Sequence, residues 1–221
     1  MIRALIFDFD GLILDTEEPI LLAWQEIYQE FGCELKFDTW ASIIGTAGYA
    51  FNPITNLENL VKQELPREEI HQRQRQREME LISDRPVEPG VVGYLVDAET
   101  MGLKIGLASS STCQWVTDHL SRLGLLDYFD CIMASDDVEQ TKPDPELYLR
   151  VMKELEAGPD QAVVFEDSPN GILAAKRAGL FCVAVPNVLT SQLSLDLADL
   201  CLDSLADIPL KELLQRVDNH L

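Results

Sequence analysis

Positive charge is what this 221-residue chain has least of: 17 Lys and Arg stand against 38 Asp and Glu, a formal net charge of −21. A nucleic-acid binder needs a basic surface to displace phosphate counterions, so the balance argues against that class, and an anionic membrane surface would repel the chain too. Anionic small substrates stay open, because a local cluster of Lys, backbone amides and a metal ion overrides the mean field. Long apolar runs are also missing, and no stretch of 18 apolar residues exists to span a bilayer. There is no Cys-x-x-Cys pair. The five cysteines, Cys33, Cys113, Cys131, Cys182 and Cys201, are odd in number and widely spaced, which suits reduced thiols better than a disulfide framework or a zinc site. Asp8 and Asp10 fall where a secretory signal keeps its uncharged segment, so the expected location is the cytoplasm. None of His71, His119 and His220 lies near a motif, and none is assigned a catalytic role.

What the chain does have is material for a core: 47% hydrophobic and 25% charged residues, the balance of a globular protein. Arg3 to Phe7 is a short apolar run ending abruptly in Asp8-Phe9-Asp10-Gly11, which reads as a strand buried on both faces. Similar runs at Leu103 to Ala108, Cys131 to Ala134, Ala162 to Phe165 and Phe181 to Val185 alternate with helical patterns. Those helical patterns include one with Val92, Leu95 and Val96, one with Val116, Leu120 and Leu123, and a last one with Leu210, Leu213, Leu214 and Val217. Alternation of this kind predicts an α/β fold with a doubly wound parallel sheet. Ser109, Lys142 and Asp167 follow one another at intervals of 33 and 25 residues, as consecutive βα units do. Asp8 to Ser109 spans 101, far too long for one crossover. The excess is helical in pattern: Ile20, Trp24, Ile27, Tyr28 and Phe31 share one face, and so do Ile54, Leu57, Val61 and Leu65 behind the start signal Asn52-Pro53. The predicted organisation is a core of residues 1–16 and 85–221 carrying an inserted all-helical domain, 17–84.

Strands that end in Asp8 and Asp10, in Ser109 and in Glu166-Asp167, with Lys142 just past a loop, converge at the carboxyl edge of a parallel sheet, where ligands bind. Several carboxylates gathered away from water repel one another and need a hard divalent cation. All-oxygen ligands favour Mg²⁺, and a seated metal suits the site to phosphate despite the overall charge.

The segments FDFDGLILDT, LASSS, TKPDP and EDSPNG resemble, in order and spacing, the motifs of the haloacid-dehalogenase-like hydrolase superfamily. Within it the chain is similar to the helical-cap branch that contains phosphoglycolate phosphatase and β-phosphoglucomutase. The resemblance implies a Rossmann-like core with a helical cap, and it implies roles. Asp8 would be the nucleophile that forms an aspartyl-phosphate. Asp10, two residues on and so on the same side of the strand as Asp8, would protonate the leaving oxygen and then activate water. Asp8, the Asp10 main-chain carbonyl and Asp167 would hold Mg²⁺, with Glu166 ligating through water or orienting the others. Ser109 and the amide of Ser110 would hold phosphoryl oxygens, and Lys142 would neutralise nucleophile and phosphoryl group. Thr16 would support Asp10 near the start of a hinge. The implied activity is Mg²⁺-dependent hydrolysis of a small phosphorylated metabolite, a sugar or polyol phosphate, by a monomer without nucleic-acid or membrane partners.

Three other readings use the same residues. A phosphomutase would return the phosphoryl group to the sugar. The β-phosphoglucomutases place a histidine where this chain has Ile20 and, counting from the cap glycine Gly45, an arginine where it has Gly48; Arg73 or Arg77 would have to stand in. A dehalogenase has no use for Asp10, since halide leaves without protonation. A non-catalytic Mg²⁺ module has no use for Asp8 and Lys142 together. Asp15 and Asp144 read as capping and solvent residues, and Trp24, Trp40 and Trp115 as packing. His71 to Arg77 reads as a helix solvated all round.

Overall fold

A computed structural model describes residues 1–41 and 51–220. Six strands form one parallel sheet: β1 (Ala4–Phe7), β2 (Lys104–Ala108), β3 (Cys131–Met133), β4 (Ala162–Glu166), β5 (Phe181–Ala184) and β6 (Leu200–Cys201), in the order β3-β2-β1-β4-β5-β6. The short β6 carries no apolar run and was not expected. β1 lies inside the sheet, with Phe7 in register with Leu107 on one side and Phe165 on the other.

Its unbroken apolar run follows from burial on both faces. Leu5 and Phe7 point into one layer with helices α5 (Val91–Met101), α6 (Cys113–Leu123) and α9 (Leu210–Asp218). Ala4 and Ile6 point into the other, with α7 (Glu146–Leu155) and α8 (Pro169–Arg177). The buried stripe of α5 is Val91, Tyr94, Leu95 and Ala98. Val92 and Val96, read with Leu95 as the pattern of this helix, stand exposed on the opposite side.

The segment read as an insertion contains α1 (Glu17–Glu30), α2 (Phe37–Trp40), α3 (Pro53–Val61) and α4 (Arg67–Ser83). Leu21, Trp24, Ile27, Tyr28, Ile54, Leu57 and Ile70 build a hydrophobic cluster distinct from the two layers of the sheet. Asn52 caps α3 through Thr55 N, 3.0 Å, as its position predicts. The helix stops at Val61 because Lys62 turns left-handed, so Leu65 joins the cluster from the following loop. The two passages between this segment and the sheet lie side by side: Arg85 pairs with Asp15 and Glu18, and Glu88 N donates to Ile13 O at 2.9 Å. Asp15 also caps α1 through Glu18 N, but it is buried beneath Arg85 and not solvated as expected. Among the described residues no helix is long and apolar enough to cross a membrane.

Candidate active site

The chain leaves β1 at Phe7, and Asp8 N continues the pairing with β4 by donating to Phe165 O at 3.0 Å. Asp10 lies beyond the strand, in a turn bridged to Leu14, so the two carboxylates do not share a strand face as the spacing suggested. Gly11 makes that turn at φ +80°, and a Cβ there would stand 2.3 Å from Asp167 Oδ2.

Beneath the turn sits a buried ionic cluster. Lys142 Nζ lies 2.7 Å from Asp8 Oδ1 and 2.6 Å from Glu166 Oε1. The Tyr148 hydroxyl, on α7, donates to the same Glu166 oxygen at 2.5 Å. Glu166 Oε2 accepts from Asp167 N, Ser168 N and Ser168 Oγ, and the carboxylate is fully buried. Gly171 on α8 gives it room, since a Cβ there would come within 1.8 Å of Glu166 Oε1. Asp167 Oδ2 accepts from Asn187 Nδ2 at 2.9 Å, and Asn187 reaches across to Gly11 O at 3.3 Å. Asp167 Oδ1 is buried and has no hydrogen-bond partner among the described residues.

Burial is the largest influence on the acidity of this cluster. Desolvation, reinforced by the Glu166 charge and only partly offset by Lys142, pushes Asp8 up to about 8. Asp167 is driven upward by burial and then by Glu166 and Asp8. Burial alone would lower the Lys142 pKa, but Asp8 and Glu166 outweigh it and raise it above the ordinary value. Asp8, Glu166 and Asp167 each offer an oxygen within 4.8 Å of the others. Three carboxylates, one ammonium and an orphaned buried oxygen form a site short of positive charge. A divalent cation with oxygen ligands, Mg²⁺ above all, fits that shortfall.

Asp10 is gripped separately. Its Oδ1 accepts from Thr16 Oγ1 and from Trp115 Nε1, both at 2.9 Å, and its Oδ2 from Ser111 Oγ at 2.7 Å and Ser109 Oγ at 3.2 Å. Ser109 is fully buried at the end of β2, its hydroxyl turned to Asp10 and to Ser111 N. Ser110, next along, presents a buried Oγ with no hydrogen-bond partner among the described residues. A cavity of about 440 Å³ opens above these groups. Asp8, Asp10, Lys142, Ser110 and Trp115 line it from the sheet side, while Glu17 and Ile20 of α1 and Glu78 of α4 face them across it.

The structure thus brings Asp8, Asp10, Ser109, Ser110, Lys142, Glu166 and Asp167 to one sheet edge, with Thr16 on Asp10. It corrects other readings. Trp115 packs edge-on against His119, with ring centres 4.4 Å apart, yet its N–H serves Asp10. His119 is not remote from the motifs, because it stacks on Phe9 at 6.1 Å. The His71 to Arg77 helix is not solvated all round: Gln74 is buried and donates to Glu78 Oε2 at 2.8 Å. Asp144 caps α7 through Glu146 N as expected. Gly45 and Gly48 lie outside the described residues. Asn187 went unread although it follows β5 at the same sheet edge, so the strand-end rule that found Asp167 would have found it. Tyr148 and Gly171 carry no comparable signal.

The sequence pattern of the family described as "Haloacid dehalogenase-like hydrolase" matches residues 5–185. The chain is 47% identical over 220 residues to "Putative phosphatase YhcW" of Bacillus subtilis (strain 168), covering 100% of both. It is 33% identical over 180 residues to "Phosphorylated carbohydrates phosphatase" of Thermotoga maritima, covering 80% of this chain and 82% of that one. The crystal structure of β-phosphoglucomutase from Clostridium difficile superposes with a TM-score of 0.76 at 26% identity, covering 100% of this chain and 99% of that one.

Proposed function

The chain belongs to the haloacid dehalogenase-like hydrolase family, and from that premise we propose that it is a Mg²⁺-dependent phosphatase hydrolysing a small phosphorylated metabolite, a sugar or polyol phosphate, through an aspartyl-phosphate. The observation that carries the mechanism is Asp8 held between Lys142 and Asp167 at the floor of the cavity, with Asp10 anchored beside it. An Asp8 oxygen attacks phosphorus, the bond from phosphorus to the leaving oxygen breaks, and Asp10 supplies that oxygen with a proton. Water then attacks phosphorus, Asp10 takes the proton, and Asp8 is released with inorganic phosphate. Lys142 balances the charge on nucleophile and phosphoryl oxygens, and Ser109 with the Ser110 amide receives those oxygens.

Asp8, Asp167 and the Asp10 main-chain carbonyl would hold Mg²⁺, which supplies charge neutralisation of the phosphoryl oxygens when bound. Glu166 acts through its partners, orienting Lys142 and the turn at Asp167. We read residues 17–84 as a cap on the 1–16 and 85–221 core, moving about the passages at Thr16 and Asp84–Pro89. We propose a cytoplasmic monomer that binds neither nucleic acid nor membrane.

Two observations favour hydrolysis over return of the phosphoryl group to a sugar. Ile20 faces the cavity where the mutases keep a proton-relaying histidine, and it has no proton to give. Arg73 and Arg77, the candidate substitutes for a second phosphate anchor, are paired with Glu30 and Glu26. Release of phosphate from an aryl phosphate tests the reading. Asp8→Asn should lower turnover by several orders of magnitude while the fold persists, and a rate near wild type would sink the covalent route. Isomerisation of β-glucose 1-phosphate faster than phosphate release would overturn the choice of hydrolase.

A further inference from the structure

We propose that Glu78 makes the cavity selective for phosphomonoesters whose leaving group carries hydrogen-bond donors and no second negative charge. The inference rests on the phosphatase reading above and deepens it.

The floor of the cavity is built for one phosphoryl group, and it uses the one ammonium that lines it among the described residues. Lys142 is committed to Asp8 and Glu166. Among the described residues, the opposite wall offers no cation. From α1 and α4 it presents Glu17, Ile20 and Glu78. The arginines of α4 are engaged elsewhere: Arg67 with Glu58, Arg73 with Glu30, Arg75 with Glu68, and Arg77 with Glu26 and Glu80. Residues 42–50, Ser-Ile-Ile-Gly-Thr-Ala-Gly-Tyr-Ala, contain no Lys, Arg or His and so cannot supply a cation in their place.

Glu78 is held in place for recognition. Gln74, itself buried, donates to Oε2 at 2.8 Å. Burial raises its pKa, the Gln74 bond opposes this, the Asp10 carboxylate adds to the rise, and the Arg75 charge, the smallest influence, opposes it, which sets Glu78 within electrostatic reach of the group that protonates the leaving oxygen. A leaving group bound there meets an acceptor-only carboxylate beside Asp10. Hydroxyls and ammonium groups can donate to it. A carboxylate or second phosphate would sit against like charge at a partly dry wall, with no cation among the described lining residues of that wall and only the distant Arg75, engaged with Glu68, to offset the repulsion.

Two matched pairs differ in a single group, CH₂OH against carboxylate: glucitol 6-phosphate with 6-phosphogluconate, and glycerol 3-phosphate with 3-phosphoglycerate. An aryl phosphate, run in parallel, reports the phosphatase reading by itself. The expected result is a kcat/KM at least about 100-fold higher for the alcohol in at least one pair, carried mainly by KM. Glu78→Gln keeps the size and one acceptor but removes the charge, and it should cut that ratio about tenfold; Glu78→Lys should invert it. Both variants are checked for unchanged circular dichroism, and agreement between them guards against a local packing artefact. Equal turnover of alcohol and acid overturns the inference, as does an alcohol refused in both pairs while the aryl phosphate is cleaved, or a ratio indifferent to both substitutions. In each of those cases the phosphatase reading stands. No turnover of any ester, aryl phosphate included, removes the reading itself.

Discussion

Asp8→Asn should make the metal-free protein more stable while removing its activity. Asp8 is buried, and its carboxyl is pushed up to about 8 from an ordinary 3.8. A folded-state pKa above the unfolded one means that stability is fully present below about pH 4 and is lost as pH rises through about 8. At pH 7 roughly three pH units are counted, at about 1.4 kcal/mol each, so the wild type forfeits up to about 4 kcal/mol at this one position. Asn has no charge to desolvate, and Lys142 keeps Glu166 as a partner. The expected gain for the variant is therefore about 2–4 kcal/mol at pH 7 and about 1 kcal/mol or less near pH 4.5. Urea unfolding of both proteins in chelator, at three pH values between 4.5 and 8, measures it directly. Added Mg²⁺ should then stabilise the wild type more than the variant and narrow the gap, because Asp8 is one of the proposed ligands. A variant that is equally or less stable than wild type in chelator at pH 7 would refute the view that this pocket is a strained, cation-deficient cluster.

Trp115→Phe removes one of four donors to Asp10, and a hydrogen bond to a charged group is worth about 1.5–3 kcal/mol. With three donors left, kcat/KM on an aryl phosphate should fall about tenfold while Mg²⁺ affinity, read by calorimetry, stays the same; an unchanged rate would return Trp115 to packing alone. Asn187→Ala frees Asp167 Oδ2, so the Mg²⁺ concentration for half-maximal thermal stabilisation should rise about tenfold or more. If that midpoint does not move, Asn187 is not what orients the carboxylate. Gly171→Ala drives a methyl into Glu166 and should cost about 3 kcal/mol or more in denaturant unfolding, far above an ordinary helix Gly→Ala change, which stabilises. Stability equal to wild type would mean that α8 shifts freely against β4.

The chemistry at the strand ends was legible because it obeys a local rule. A buried parallel strand reads as an apolar run, and the first polar residues after it mark the sheet edge, which is how Asp8, Ser109 and Asp167 could be read. Lys142 was legible through its place between two such runs. What escaped reading depends on contacts across long stretches of chain. The indole of Trp115 meets Asp10 over 105 residues, and Tyr148 looks like any apolar position of an amphipathic helix until its hydroxyl is found on Glu166. Glu78 sat in a helix whose polar residues gave no preferred face, so only the placement of α4 over the cavity separates it from its solvated neighbours. The turn after Phe7 misled for a related reason: alternation along a strand says nothing once the strand has ended.

The interior position of β1 has a consequence for synthesis. Ala4 pairs with Lys104 on one side and with Ala162 on the other, so once β1 has left the ribosome it waits about 100 residues for one neighbour and about 160 for the second. At about 5–20 residues per second, its edges stay unpaired for roughly 5–30 s. During that interval Leu5, Ile6 and Phe7 form an apolar ribbon with open edges, and α1 to α4, made in between, bury their own side chains and offer it no edge. Nascent chains are thus at their most adhesive after the helical segment has emerged and before β4 arrives. A holdase that grips short apolar strands would find its natural client in that window, and stalling translation between Ser83 and Ala162 should enrich such a complex.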